Sequence, residues 1–84
     1  MSRARDVVEV VAKALGDRPE SVRVTERGHR GQTLIELFMA QGDLGRVIGR
    51  QGRTAAALRT LVAATAELEG AKASLEFRDD ARPS

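Results

Sequence analysis

The segment from residue 45 to 53 has the residue types and spacing best suited to binding a charged ligand. It reads Gly-Arg-Val-Ile-Gly-Arg-Gln-Gly-Arg, and Gly49 and Gly52 enclose two polar residues. Glycine permits a positive φ and has no side chain to keep a ligand backbone at a distance. The unpaired amides and positive dipole end of a helix following Gly52 would favour a phosphate. The segment therefore indicates a phosphate-binding loop.

The side chains around the two glycines could extend such a loop. Positive charge and hydrogen-bond donors for phosphates would come from Arg46, Arg50, Gln51 and Arg53. The apolar pair Val47 and Ile48, just before the first glycine, could offer a wall for bases. On the two glycines alone, a plain turn joining two helices stays open as the alternative.

Two familiar nucleotide-binding loops are excluded by the sequence. A Walker P-loop ending at Gly52 requires glycine at position 47 and lysine at position 53, where the chain has Val47 and Arg53. A dinucleotide-binding fingerprint beginning at Gly45 also requires glycine at position 47. Neither pattern fits this segment.

Positive charge is concentrated around the same segment. The whole chain has a formal net charge of +2, whereas residues 41 to 66 contain four arginines and a single acid, Asp43. This stretch therefore has a net charge of +3, and the rest of the chain has −1. A basic stretch in a nearly neutral chain suggests an anionic partner, with a solvated helix face as the alternative.

Composition favours one small binding domain over an enzyme or a membrane protein. A length of 84 residues suits one domain, and no apolar run approaches the roughly 18 residues of a membrane span. The chain has no signal-peptide pattern, no cysteine and only one histidine, His29. We therefore expect a cytoplasmic protein without a metal site or cofactor, and no group of residues predicts an enzyme.

Hydrophobic periodicity in the first half of the chain predicts one helix and two strands. The helix begins at Arg3, is capped by Ser2 and stops at Gly16. The strands form an antiparallel hairpin over residues 21–26 and 32–40, with a turn at 27–31.

The second half predicts two helices and a strand. A short helix capped by Asp43 runs to Ile48, a long helix runs from residue 53 to about 69, and a strand covers 73–78. The order α-β-β-α-α-β indicates an α+β fold, a three-stranded sheet with helices packed on one face. One domain is expected over residues 1–78, with a frayed polar tail over 79–84.

Side-chain patterns indicate which surfaces are buried. On the second strand, residues 33, 35, 37 and 39 share one face, and Glu36 lies on the other face between Leu34 and Phe38. Phe38 and Phe77 are predicted core residues, although Leu34 and Phe38 could instead form an apolar dimerisation patch on the wet face. On the long helix, the spacing predicts a stripe of Leu58, Leu61, Val62 and Thr65.

The string Val-Ile-Gly-Arg-Gln-Gly-Arg at residues 47–53, between two predicted helices, resembles the loop of the KH domain. The order α-β-β-α-α-β resembles the bacterial, type II form of that domain. The chain length and the run from residue 45 to 59 are similar to the small stand-alone bacterial KH proteins of the KhpA family. The resemblance covers about residues 3 to 78.

This resemblance implies a GXXG loop, residues 49–52, that clamps about four backbone nucleotides of single-stranded RNA. Ile48 matches the aliphatic position before the loop. Thr54 stands where small bacterial members often have isoleucine, and Ala55 where KH domains commonly have a larger aliphatic residue, which implies a smaller groove wall.

The resemblance also implies a biological role and partners. The expected role is that of an RNA chaperone or post-transcriptional regulator, with a larger KH/R3H protein of the Jag/KhpB type as partner. A homodimer is a separate expectation, which comes from the apolar patch that Leu34 and Phe38 could form. The alternatives are a protein-interaction module and a ribosome-assembly factor that acts mainly through a partner protein.

Overall fold

The structure of the protein, a computed structural model, describes residues 2–79. The helices and strands confirm the predicted order; they are α1 Arg3–Leu15, β1 Arg23–His29, β2 Gln32–Met39, α2 Gln41–Ile48, α3 Arg53–Leu68 and β3 Lys72–Asp79. Short 3₁₀ turns occupy Pro19–Ser21 and Arg50–Gly52. Ser2 caps α1 as predicted, because its hydroxyl accepts a hydrogen bond from the amide of Arg5.

The three strands form one mixed sheet in the order β1-β2-β3. β1 and β2 are antiparallel, which confirms the predicted hairpin, and β2 and β3 are parallel. The turn between β1 and β2 is tighter than predicted, because residues 27–29 are paired in β1. Only Arg30 and Gly31 form the connection, with φ values of 50° and 79°, as two-residue hairpin turns require.

Helices cover one face of the sheet, as predicted, and the core lies between them and that face. Ile35, Leu37 and Met39 project from β2 into the core and are fully buried. Val24 from β1 and Leu75 from β3 are buried beside them. Because β2 is the central strand, its core-facing side chains touch the elements on both sides.

The buried stripe of α3 differs from the predicted one. Leu61 is exposed and Thr65 is half-buried, whereas the buried positions are Ala55, Leu58, Val62 and Ala66. These positions follow the helical spacing more evenly than the predicted set. Alanine is small, so burying it lets α3 approach its neighbours closely and turns the larger Leu61 outward.

Asp43 is not the cap of α2. The helix begins two residues earlier, at Gln41, with Ala40 at the cap position and no capping side chain. Asp43 is buried in the first turn, and its carboxylate accepts a hydrogen bond of 2.8 Å from the amide of Arg18. This bond lowers the pKa of Asp43 against the opposing effect of burial. Asp43 therefore ties the loop after α1 to the start of α2.

Glu36 is buried on the sheet face that was expected to be wet. Its carboxylate accepts hydrogen bonds from Arg27 at 2.7 Å, Arg78 at 2.8 Å and the Thr25 hydroxyl at 3.2 Å. The Arg27 bond is the largest cause of a lowered pKa of Glu36, with Arg78 and Thr25 adding to it and burial opposing it. The guanidinium groups of Arg27 and Arg78 lie against this carboxylate and shield it from water, although both arginine side chains remain partly exposed.

The two phenylalanines lie on opposite faces of the sheet. Phe77 is half-buried and packs against the core on the helix-covered side. Phe38 is half-buried on the other face, where the Arg23 guanidinium lies 4.2 Å from its ring centre. The prediction that Phe38 is a core residue is therefore wrong, and the alternative that placed it on the free face is correct.

The strand β3 is longer than predicted by one residue at each end. It runs to Asp79, and the remaining residues of the predicted tail, 80–84, lie outside the described part of the chain. None of the helices within residues 2–79 is long and apolar enough to cross a membrane.

The ion pairs of Glu36 predict a specific acid response. Because the folded-state pKa of Glu36 lies below its unfolded value of about 4.3, the stabilisation is complete above that pH and is lost as the pH falls through the folded-state pKa. Arg27→Gln should raise this pKa and shift acid unfolding to higher pH, whereas Arg3→Gln, which does not touch Glu36, should not. Urea unfolding followed by circular dichroism across pH 2 to 6 measures the shift.

A Glu36→Gln variant completes this test. It has no carboxyl group to titrate at position 36, so its stability should change less between pH 6 and pH 2 than that of the native chain. An identical pH dependence in both proteins would show that Glu36 does not govern acid unfolding.

Candidate nucleic-acid interface

The backbone leaves the helical conformation directly after α2, at Gly49. The amide of Gly49 donates to the Gly45 carbonyl at 2.9 Å and closes the last turn of the helix. Gly49 itself has φ 77° and ψ 173°, a backbone conformation that is essentially restricted to glycine. The first glycine of the GXXG sequence is therefore required by backbone geometry.

Gly49 is also required by a close approach to α3. A Cβ atom on Gly49 would lie 2.5 Å from Oγ1 and 2.9 Å from Cβ of Thr54, in the first turn of α3. Thr54 thus packs directly on the loop, at the position where the resemblance leads one to expect isoleucine. Ala55 belongs to the buried stripe of α3, so its side chain does not form a groove wall.

The second glycine of the loop, Gly52, is favoured for its backbone conformation alone. Gly52 has φ 70° and ψ 15°, in the left-handed region, and a Cβ there would meet open space. Gln51 also adopts a left-handed conformation, with φ 57° and ψ 23°. The turn is closed by the Gly52 amide, which donates to the Gly49 carbonyl at 3.1 Å, and by the Arg53 amide, which donates to the Arg50 carbonyl.

The loop leads into the N-terminus of a 16-residue helix that has no capping side chain in the described structure. The cap position is Gly52, and the amide of Arg53 is used within the loop. The following amides of the first turn have no intrahelical partner, and the helix dipole makes this end positive. The arrangement of backbone donors beside an open glycine suits an anionic oxygen.

Two arginines add positive charge at this end of α3. Arg50 and Arg53 are exposed, and within residues 2–79 neither forms an ion pair. Arg53 donates to the side-chain oxygen of Gln51 at 3.1 Å, which links two of the predicted site residues. Arg46 is exposed but differs from them, because its guanidinium is paired with Asp17 at 2.9 Å.

The two predicted base-contacting residues are separated by the fold. Val47 is fully buried in the core, so the prediction that its side chain would pack against bases is wrong. Ile48 is half-buried at the end of α2, next to the loop. Both residues belong to α2. Neighbouring side chains on a helix point about 100° apart, so Val47 and Ile48 cannot both face the core.

Arg59 was not among the predicted site residues. Its Nε donates to the backbone carbonyl of Leu75 at 3.4 Å, and its guanidinium lies 5.0 Å from the ring centre of Phe77. It therefore places a cation beside the outer strand of the sheet. No local sequence signal reveals this, because the contact joins residues 16 apart in the chain.

Within residues 2–79, no group of three or more His, Cys, Asp or Glu side chains could hold a metal ion.

The fold and the loop together define a class of protein. Two helices joined by Gly-Arg-Gln-Gly sit in an α-β-β-α-α-β order over a three-stranded sheet whose last two strands are parallel. This is the architecture of a type II KH domain, and the expectation from sequence is confirmed.

Comparison with known proteins identifies the family. The family model "KhpA/KhpB, KH domain" matches residues 5–77. RNA-binding protein KhpA of Caldanaerobacter subterraneus subsp. tengcongensis is 47% identical over 86% of this chain and 96% of that protein. The proteins of the same name from Aquifex aeolicus and Clostridium perfringens are 45% and 43% identical over 92% and 87% of this chain, and 98% and 97% of their own lengths. The chain belongs to the KhpA/KhpB KH-domain family.

The two glycines of the loop should differ in their sensitivity to substitution. Gly49→Ala combines a glycine-only conformation with the Thr54 contact, and should lower the free energy of unfolding by about 2 kcal/mol or more. Gly52→Ala introduces only a left-handed alanine, at about 1 kcal/mol. Urea unfolding of the two variants and the native chain measures both values. Equal losses, or a larger loss for Gly52→Ala, would contradict the packing role of Thr54.

Proposed function

We propose that this chain is a non-enzymatic protein that binds single-stranded RNA and holds backbone phosphates with the loop 49–52. The observation that carries the proposal is the tight two-glycine turn, which leads into the uncapped, positively charged end of α3. Its relatives are named RNA-binding proteins, which supports RNA as the anion.

The residues of the loop have separate roles in this proposal. The first-turn amides of α3 and the side chains of Arg50 and Gln51 meet phosphates, and Arg53 adds positive charge. Ile48 contacts bases from the end of α2. Arg46 contributes less, because Asp17 already neutralises it. Contacts with phosphates carry no sequence information, so this site would bind RNA with low sequence specificity.

This mode of binding suits an RNA chaperone or post-transcriptional regulator that acts on many transcripts in the cytoplasm. A larger KH/R3H protein of the Jag/KhpB type is the proposed partner, in keeping with a family model whose description covers both proteins. The proposed domain is the predicted one, residues 1–78, extended to Asp79 at the end of β3. Ribosome assembly is the nearest alternative role, since it uses the same phosphate contacts.

Replacement of the two loop side chains tests the site. Arg50→Asp/Gln51→Asp should weaken binding of a labelled single-stranded RNA at least tenfold and reduce its salt dependence, since each phosphate contact contributes about 0.7 to the logarithmic salt slope. Fluorescence anisotropy across a salt series measures both quantities, and circular dichroism verifies folding.

A matched control separates the site from overall charge. Arg3→Asp/Ala64→Asp changes the net charge by the same three units at exposed helix positions. Residue 64 is about 18 Å along α3 from Gly52, at 1.5 Å per residue. This control should bind RNA better than the loop variant does. If both variants lose the same affinity, or neither loses any, the loop is not the RNA site.

An exposed apolar surface favours protein binding as a second function. Val10 on α1 is 68% exposed, and Leu61 and Leu68 on α3 are 46% and 88% exposed. Val11 and Leu61 line a shallow groove between the two helices. The sequence had placed such a patch at Leu34 and Phe38, but those side chains are half-buried beside arginines. Because Val11 and Leu61 lie together on this groove, the surface suits an apolar partner.

Polar substitutions on these helices distinguish protein binding from RNA binding. Val10→Gln/Leu61→Gln should weaken self-association or binding to a KhpB-type protein, measured by sedimentation velocity, and leave RNA affinity within about twofold of the native value, because surface changes away from a site have small effects. Unchanged association would exclude this surface as the protein interface.

A further inference from the structure

The sheet face opposite the helices carries an excess of positive charge. Pairing register places side chains of all three strands in rows across this face. We call it the basic sheet face; its charged side chains are Arg23, Arg27, Glu36, Lys72, Glu76 and Arg78. The four cations outnumber the two carboxylates, and one of these carboxylates, that of Glu36, is buried.

Glu36 fixes the orientation of two of these cations. Arg27 donates two hydrogen bonds to one carboxylate oxygen, at 2.7 Å and 3.2 Å, and Arg78 donates to the other at 2.8 Å. Arg78 is also paired with Glu76. The side chains of Arg27 and Arg78 remain 70% and 48% exposed. A guanidinium has five N–H donors, so each head keeps donors for a further anion.

Arg23 offers a different contact on the same face. One side of its guanidinium covers the ring of Phe38 at 4.2 Å. The opposite side of this planar group is the kind of surface on which unpaired RNA bases stack. Next to Arg27, a shallow depression of about 320 Å³ is lined by Gln32, Leu34 and Ser74. Lys72 borders the adjoining depression along Gln32 and Ser74.

We propose that the basic sheet face binds a second segment of single-stranded RNA. Arg27, Arg78 and Lys72 hold phosphates, and Arg23 stacks on a base. The charge excess selects an anionic occupant, and Leu34 and Phe38 are too covered to form a large apolar interface. This site is separate from the loop 49–52, because the sheet lies between the basic sheet face and the helices.

Two RNA sites on one small domain have a functional consequence. Two segments held on opposite sides of the sheet share a high effective concentration, which accelerates their encounter. The longest dimension of the molecule is 36 Å, so two segments bound to it are held within about that distance of each other. The inference goes beyond the loop proposal and does not depend on it, since binding at the sheet face uses none of the loop residues.

The test measures how many RNA strands each chain binds. The probe is a labelled uridine octamer, which forms no stable secondary structure, titrated stoichiometrically at low salt and followed by fluorescence anisotropy. The native chain should bind two octamers. Arg23→Gln/Lys72→Gln should lower the affinity at the sheet face at least tenfold through the loss of two cations, so that at RNA concentrations that just saturate the native chain this variant binds one octamer. Neither substituted residue touches Glu36, and urea unfolding confirms stability. If the double variant unfolds, Lys72→Gln alone replaces it in the titration, because this variant keeps the contact between Arg23 and Phe38.

Three comparison proteins make the result specific. Arg3→Gln/Lys13→Gln removes the same charge from the exposed surface of α1 and should still bind two octamers. Arg50→Asp/Gln51→Asp should bind one octamer at the same RNA concentrations, through the sheet face, and combining it with Arg23→Gln/Lys72→Gln should leave both sites largely unfilled.

The outcomes separate this inference from the loop proposal. A native chain that binds one octamer, with no change in Arg23→Gln/Lys72→Gln, would overturn the second site. If the loop variant binds two octamers and the sheet-face variant binds one, the loop proposal fails and the sheet site stands. A native dimer that dissociates in Arg23→Gln/Lys72→Gln, observed by sedimentation, would assign the face to a second copy of the chain and overturn the proposal.

Discussion

The structure depends on one packing constraint: a single face of a three-stranded sheet must be covered by three helices in a chain with few large side chains. The chain has two aromatic residues of the phenylalanine type and no tryptophan or tyrosine. The core is therefore formed by helices and a sheet that pack closely together, and not by large side chains. Alanines at positions 4 and 12 of α1 and 55 and 66 of α3 are buried, and they allow the helices to lie near each other and the sheet. Small residues at contacts reduce the distance between packed elements.

This packing fixes the direction of α3 and therefore the geometry of the loop before it. Once Leu58 and Val62 face the core, Thr54 must face the chain that leaves α2. Only a glycine at position 49 fits against Thr54, and its backbone conformation then turns the chain into α3. The open amides at the start of α3 thus result from the same contacts that close the core. A loop held by packing in this way would need little further ordering to bind an anion.

Electrostatics differ between the two sides of the molecule. At the loop, the positive charge comes from exposed arginines and backbone dipoles, with Arg46 partly offset by Asp17. On the basic sheet face, a buried carboxylate positions two arginines and so concentrates positive charge on a flat surface. A formal net charge of only +2 conceals both features, because the arginines and lysines of these two surfaces are offset by acids elsewhere in the chain.

The sequence by itself determined the features that arise from neighbours along the chain. Helical periodicity, the Ser2 cap and the Gly16 stop defined α1, and alternation defined the hairpin. The two glycines and their polar neighbours defined the loop, because backbone freedom is a property of the residue itself. The tight turn at Arg30 and Gly31 was placed too broadly, since pairing of residues 27–29 is decided by the opposite strand.

Tertiary structure alone decided which side chains of equal chemical type are buried. Val47 and Ile48 are adjacent and both aliphatic, yet only Val47 lies in the core. On α3 the predicted Leu61 is exposed and the smaller Ala55 and Ala66 are buried instead, because burial depends on the distance to α1 and the sheet. Asp43, Glu36 and Arg59 each gained their role from a partner at least nine residues away. Periodicity reports which residues share a face, but only the packed chain determines what that face meets.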